Sequence, residues 1–188
     1  MAKNYWQGKH IKLRALEEKD ITRFVNLRNT PDSEADWYHD RIFLPESETT
    51  AKKHLEELVA EQKDDKFFFI VENETAPVGT IYVWEARRRE GVFRYGIQIE
   101  EPHRAKGYAK EALIIILDYY FNELNYQKCA PYAYEFNTRS QAFHEKLGFT
   151  KEGILRNETY TRGKYHSIVY YGMLKNEFNS LYNQVAIF

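Results

Sequence analysis

The sequence lacks the features that mark several protein classes. It holds one cysteine, Cys129, among 188 residues, so an internal disulfide is impossible and a reducing compartment is expected. Lysine plus arginine total 27 and aspartate plus glutamate 28, a balance that argues against a nucleic-acid binder. The longest apolar run, Ala112–Leu117, is too short to cross a bilayer, and the first residues lack the apolar region of a secretory signal. These absences predict a cytoplasmic protein whose partners include neither nucleic acid nor membrane.

Two common nucleotide-binding signatures are absent as well. Neither G-x-x-x-x-G-K-[ST] nor G-x-G-x-x-G occurs, so a P-loop and a Rossmann site both lack support. No internal repeat, low-complexity tract or linker divides the chain. With 43% hydrophobic and 16% aromatic residues, the chain can form a sizeable core. We therefore expect one domain over residues 1–188, with 175–188 as a C-terminal tail.

The most informative stretch combines a strand, a basic turn and a long helix. Apolar and polar residues alternate from Phe93 to Ile99, which is the period of a strand, and Pro102 ends it. Apolar residues then recur at helical spacing from Ala109 to Leu124. The turn between these elements is the segment 104–109, Arg-Ala-Lys-Gly-Tyr-Ala.

This turn has the physical properties of a phosphate site. The first N–H groups of a helix have no partner inside the helix, and the helix dipole adds partial positive charge there. Arg104 and Lys106 add full charges, and Gly107 lets a ligand approach the backbone closely. An ordinary basic turn fits this spacing equally well, because short turns with glycine and lysine are common.

Periodicity elsewhere predicts a chain that mixes strands and helices. Strands are predicted at residues 10–16, 66–71, 78–84, 92–99, 128–135, 150–161 and 165–174. Helices are predicted after residues 20, 47, 107 and 137, with a further short helix in the tail.

Two motifs resemble those of the GNAT-type N-acetyltransferase superfamily. Arg104-x-x-Gly107-x-Ala109 after a strand is similar to the acetyl-CoA pyrophosphate loop of that family, Arg/Gln-x-x-Gly-x-Gly/Ala. The segment 137–149, Asn-Thr-Arg-Ser-Gln-Ala-Phe-His-Glu-Lys-Leu-Gly-Phe, resembles its second cofactor motif. The motifs occur in the order of the family, and the resemblance covers nearly the whole chain. The late strands resemble the branch that contains ribosomal-protein N-terminal and polyamine acetyltransferases.

The resemblance implies a fold and a co-substrate. The fold is an α/β (α+β) single domain with about four helices and a central, mixed, mostly antiparallel sheet of about seven strands, splayed in the middle. Pro131 is consistent with a ladder that opens there, and equally with an edge strand. The implied co-substrate is acetyl-CoA, without a metal. The residues implied in binding it are Ile97, Gln98, Ile99, Arg104, Ala105, Lys106, Gly107, Tyr108, Ala109, Asn137 and Ser140.

The implied reaction is attack of a primary amine on the thioester of acetyl-CoA. The ammonium must lose a proton, and Glu85 and Glu158 are candidate bases, each with a solvated surface role as its alternative. The leaving thiolate needs a proton, for which Ser140 and His144 compete. His144 stands where many members have a tyrosine. A helix cap and a surface histidine are the respective alternatives. The neighbouring acids Glu100 and Glu101 are expected to turn to solvent.

The acceptor amine is the least determined part of the prediction. An aromatic-rich segment before Pro45 holds Trp37, Tyr38 and Asp40, which are candidates for binding a cationic acceptor. A loop that merely packs over the core is the alternative. The acceptor is a small molecule or a protein N-terminus, and a homodimer is an open alternative. A non-catalytic acyl-CoA-binding module is the second functional hypothesis, because residue 144 departs from the family.

Overall fold

The computed structural model describes residues 4–20, 22–23, 47–60, 66–161 and 163–182. Within these ranges the strands are β1 (Ile11–Ala15), β2 (Phe67–Asn73), β3 (Pro77–Arg87), β4 (Val92–Ile99), β5 (Lys128–Cys129), β6 (Tyr132–Tyr134), β7 (Thr150–Thr161) and β8 (Lys164–Leu174). The α-helices are α1 (Glu48–Ala60), α2 (Tyr108–Asp118), α3 (Thr138–Lys146) and α4 (Lys175–Tyr182). A π-helical turn, Tyr119–Glu123, extends α2. The expected α/β architecture is confirmed.

Among the described residues the sheet has eight strands rather than about seven, in the order β1-β2-β3-β4-β5-β8-β6, with β7 paired to β8. The extra strand arises because the predicted strand at 128–135 is divided into β5 and β6 on either side of Pro131, which has no N–H for a ladder. Every pair of strands is antiparallel except β4 and β5.

The sheet opens between β4 and β6. The parallel pairing of β4 with β5 spans only Val92 with Lys128 and Phe93 with Cys129. A last backbone bond runs from Ala130 N to Phe93 O at 2.8 Å. Within the described chain, the edge of β4 beyond Phe93 has no strand partner, since β6 pairs with β8 instead. We call the short β4–β5 pairing the seam, and the unpaired edge of β4 from Tyr95 to Ile99 the free edge.

Helix α2 holds the back of β4 in place. Its six consecutive residues Ala112–Leu117 are all buried, which explains the apolar run in the sequence. The Phe93 ring of β4 stacks on Tyr120 at 4.5 Å between centroids, and Phe178 of α4 lies in the same core. The tail helix therefore forms part of the main core. No helix within the described ranges is both long and apolar enough to span a membrane.

Candidate active site

The turn between β4 and α2 presents an open, basic surface. Ala105 and Gly107 adopt left-handed conformations, with φ of 60° and 85°. Gly107 is the N-cap residue of α2 and offers no side-chain cap to the first N–H groups of the helix. Ala105, Lys106 and Gly107 are exposed, and a Cβ on Gly107 would meet nothing within 4 Å. The turn predicted to hold phosphate is therefore accessible. It lies at the N-terminus of α2, where the helix dipole contributes partial positive charge.

Arg104 has a role in this turn that its position in the motif did not indicate. Its Nε donates to the carbonyl oxygen of Ile99 at 3.0 Å, so the side chain turns back onto the end of β4. This bond ties the turn to the free edge, where Ile97, Gln98 and Ile99 were expected to contact the cofactor. The basic turn and the free edge thus form one continuous surface.

The start of α3 lies after β6, on the other side of the opening. The Asn137 side-chain oxygen accepts from Ser140 N at 3.0 Å, so Asn137 is the N-cap of α3. Within the described chain, neither the Asn137 amide nitrogen nor the Ser140 hydroxyl has a hydrogen-bond partner. The cap and a ligand contact are therefore compatible for Asn137, because they use different atoms.

His144 is buried, so the alternative of a surface histidine is wrong. The side chain is 4% exposed, and its ring stacks on Tyr171 at 5.0 Å between centroids. Burial lowers the pKa of His144 to about 4, although its bond to the Ser140 carbonyl opposes that shift. The ring is therefore neutral at pH 7, and the expected role of a protonated donor is not supported.

The tautomer of His144 follows from its neighbours. Nδ1 lies 2.8 Å from the Ser140 carbonyl oxygen, which can only accept, so Nδ1 carries the hydrogen. Nε2 is then a bare acceptor, buried and without a partner in the described chain. The Tyr95 hydroxyl is in the same situation, and the two rings lie 5.8 Å apart. His144 thus offers an acceptor where a tyrosine would offer a donor.

The two candidate bases both reach solvent. Glu85 has a left-handed backbone, with φ of 48°, at an irregularity in the β3–β4 ladder. Its side chain is 49% exposed and its Oε2 lies 3.1 Å from Arg94 Nε. Glu158 is exposed where the register between β7 and β8 shifts. The structure brings neither carboxylate into an enclosed site within the described ranges.

Of the two acids next to the turn, only Glu101 is exposed as expected. The expectation for Glu100 is wrong, because its side chain is only 15% exposed. Arg23 binds both of its carboxylate oxygens, at 2.7 and 2.6 Å, and also donates to the Pro77 carbonyl. A partner 77 positions away along the chain could not be read from local sequence. The candidate acceptor residues Trp37, Tyr38 and Asp40 lie outside the described residues.

The sequence did not indicate a cluster of aromatic rings around Arg94. The guanidinium carbon lies 5.3 Å from the ring centroid of Trp84, 5.9 Å from that of Tyr132 and 5.5 Å from that of Tyr170. Beyond the end of β6, the Nδ1 atom of His166 lies 3.2 Å from Oε1 of Glu135. Strand alternation could have placed Arg94 and Tyr95 on opposite faces of the sheet. It could not have indicated the three rings around Arg94, because they belong to three different strands.

Comparisons with known proteins point to one family. Residues 10–150 match the family model described as an acetyltransferase (GNAT) domain. The chain is 38% identical to the SPbeta prophage-derived uncharacterized N-acetyltransferase YokL of Bacillus subtilis, over 95% of this chain and 97% of that one. It is 26% identical to the putative ribosomal N-acetyltransferase YdaF of the same organism, over 90% of this chain and 94% of the relative.

A solved structure shares the fold. The crystal structure of spermidine N-acetyltransferase from Vibrio cholerae in complex with CoA and spermine superposes with a TM-score of 0.77 at 24% identity, covering 90% of this chain and 98% of that one. The family match spans most of the chain and includes both the basic turn and the segment after Asn137. The chain therefore belongs to the GNAT acetyltransferase family.

Proposed function

We propose that this protein transfers the acetyl group of acetyl-CoA to a primary amine, by direct attack in a ternary complex in the cytoplasm. The observation that carries the proposal is the continuity between the open basic turn 104–109 and the free edge of β4. A diphosphate at the start of α2 and an acyl-pantetheine arm along an unpaired strand edge use both features at once. The Vibrio cholerae spermidine N-acetyltransferase, which shares this fold and was solved with CoA and spermine, supports the choice of a CoA thioester as the co-substrate.

The cofactor residues divide into two groups. The turn from Arg104 to Ala109, including Tyr108, would hold the diphosphate through backbone N–H groups and the charge of Lys106. The free edge at Ile97–Ile99 would bond the pantetheine arm from one side, and the Asn137 amide would bond it from the other. The side-chain amide nitrogen of Asn137 has no hydrogen-bond partner within the described residues, and the edge of β4 beyond Phe93 has no strand partner there.

The chemistry requires a place for each charge and proton. An N–H of the free edge at Ile97–Ile99 would stabilise the tetrahedral oxyanion. The Ser140 hydroxyl is the proposed proton donor to the thiolate, and it regains its proton from water. The neutral His144 ring does not compete for this role, because its only N–H donates to the Ser140 carbonyl. The amine proton would leave through water, with Glu85 or Glu158 as the eventual base. Positioning of the two reactants contributes roughly 7 to 11 kcal/mol and reduces what the base must supply.

Two measurements on the intact chain test this function. Isothermal titration should detect CoA binding, and acetyl-CoA should be consumed with a panel of primary amines, read by mass spectrometry. The panel includes polyamines, amino acids and peptides with a free N-terminus, and Trp37, Tyr38 and Asp40 remain candidates for holding the acceptor. In the same assay Ser140→Ala should lower kcat with CoA affinity unchanged. Failure to bind CoA would refute the proposal, whereas binding without turnover on any amine would favour the acyl-CoA-binding module.

The two roles of Asn137 can be separated by substitution. Asn137→Ser keeps an oxygen that can cap α3 but removes the amide N–H groups, so CoA affinity should fall about 5-fold with little change in stability. Asn137→Ala removes the cap as well and should cost about 1 kcal/mol of unfolding free energy in addition. Titration calorimetry and thermal melting measure the two effects. Equal CoA affinity in all three proteins would show that Asn137 is only a cap.

A further inference from the structure

We propose that Arg94 determines which acceptors are used, and that it favours amines that also carry a carboxylate over polycationic amines. This inference rests on the proposed function, since it concerns the acceptor in the same reaction. It starts from the face of the sheet that is opposite to α2. Tyr95 points into the core, so its neighbour Arg94 points to the other face, as alternation along a strand requires. We call that side the acceptor face.

The guanidinium of Arg94 lies among aromatic rings from both halves of the opened sheet. Trp84 is the cross-strand partner of Arg94 in the β3–β4 ladder, and Tyr132 is the partner of Tyr170 in the β6–β8 ladder. The Trp84–Arg94 pair belongs to one half of the opened sheet and the Tyr132–Tyr170 pair to the other. The guanidinium lies within 6 Å of the centroids of all three rings. The Trp84 ring of β3 and the Tyr132 ring of β6 also meet edge to face, with 5.8 Å between their centroids. The rings thus hold the charge at the inner end of the opening.

A single partner occupies only part of the Arg94 hydrogen-bonding capacity. Nε contacts Glu85 at 3.1 Å, and the Arg94 side chain remains 21% exposed. Within the described residues, no acceptor contacts its two terminal amino groups. A planar guanidinium with its two terminal nitrogens open can bind a carboxylate through a pair of parallel hydrogen bonds.

The same geometry disfavours a polyamine at this position. Aromatic rings bind an ammonium when their faces are available, but here the cation of the chain itself already lies over them. A second cation brought to this place would meet the like charge of Arg94, which the half-exposed carboxylate of Glu85 offsets only in part. Gly96 follows Arg94 on this face of the sheet. It lies under the Tyr82 ring, which a Cβ at this position would overlap. The floor beside Arg94 is therefore filled by an aromatic ring.

Acceptors matched in length test the proposal. The wild-type enzyme is assayed with a series of ω-amino carboxylates, with the alkylamines of equal chain length and with the corresponding α,ω-diamines. Leucine and leucinamide, and a dipeptide and its amide, provide the same comparison for α-amines. We expect kcat/KM to be about tenfold or more higher for the carboxylate in each pair, with the diamines poorest.

Substitutions then assign the preference to one side chain. Arg94→Gln should reduce the ratio between carboxylate and alkylamine to near one, and Arg94→Glu should shift the preference to the diamines. Arg94→Lys should keep part of the preference, because the charge remains but the paired geometry is lost. Arg87→Gln, at the exposed last residue of β3, is the matched control and should keep the wild-type ratio.

The possible results test the role of Arg94 and the proposed acetyltransferase function separately. CoA affinity is measured for every variant and should stay at the wild-type value. Turnover with diamines preferred, or an unchanged ratio in folded Arg94→Gln, would overturn the role of Arg94 and leave the acetyltransferase function standing. Loss of CoA binding in the wild-type protein would instead remove the proposed function. If Arg94→Gln fails to fold, the wild-type preference among acceptors and the reduced preference expected of Arg94→Lys still test the role of Arg94.

Discussion

Gly107→Asp is expected to abolish CoA binding while the protein stays folded. The substitution puts a carboxylate where the diphosphate would lie, at the start of α2. At an effective dielectric constant of about 20, one like charge at about 5 Å costs roughly 3 kcal/mol, so the Kd should rise at least about 100-fold. The new Cβ has open space around it, and aspartate tolerates the left-handed φ of 85° better than most residues. Titration calorimetry with CoA measures the effect.

Gly163→Asp provides a matched control. Gly163 also has a left-handed backbone, with φ of 80°, and open space around its missing Cβ, but it lies in the turn between β7 and β8. Both variants should show a similar small loss of thermal stability, since the backbone strain is alike. Only Gly107→Asp should lose CoA. If both variants bound CoA with wild-type affinity, the turn would not be the diphosphate site.

The second large effect expected is a loss of stability in mild acid, caused by His144. Burial lowers its pKa in the folded protein to about 4, against about 6.5 in an unfolded chain. Between these values the unfolded chain binds a proton that the folded protein excludes, so the unfolding free energy falls as the pH falls. The difference between these two pKa values corresponds to about 3 kcal/mol of unfolding free energy. Stability should therefore be complete above pH 6.5 and decline down to about pH 4.

A buried apolar ring in place of His144 should remove this dependence. Denaturant unfolding of His144→Phe, measured at a series of pH values, should show a much smaller fall in unfolding free energy between pH 6.5 and about 5 than the wild-type protein. Below that range Glu72 and Glu135, whose pKa values are lowered in the folded protein, add their own acid sensitivity in both proteins. His10→Gln, which removes an exposed imidazole, is the control and should retain the wild-type slope. Asp20, whose pKa is lowered by Arg14 in spite of burial, should add its own acid sensitivity only below about pH 4. A wild-type slope in His144→Phe would assign the effect to other groups.

The strands and the basic turn were predictable because their signals are local. Alternation from Phe93 to Ile99 and helical spacing after Gly107 depend on residues a few positions apart, and both elements occur as predicted. At Pro131 the local rules allowed either a ladder that opens or an edge strand, and they did not decide between them. The structure decides it, because β8 pairs with both β5 and β6 while β4 pairs only with β5.

The candidate site was predictable only where backbone geometry defines it. The exposed turn and the cap formed by Asn137 follow from motifs within single elements. The bonds of Arg23 to Glu100 and of Arg104 to Ile99 do not, because they need the final positions of two elements. The expected exposure of His144 was wrong for the same reason, since its neighbours come from β4, β8 and the chain after α3.

By itself, the sequence determined the order of strands and helices and the exposed basic turn at the start of α2, because these properties arise between neighbours along the chain. Only the tertiary structure decided that His144 is neutral, that Glu100 is paired and that Arg94 lies among three rings. Burial and charge pairing decide protonation and exposure, and both are set by residues that are distant in sequence and adjacent in the fold.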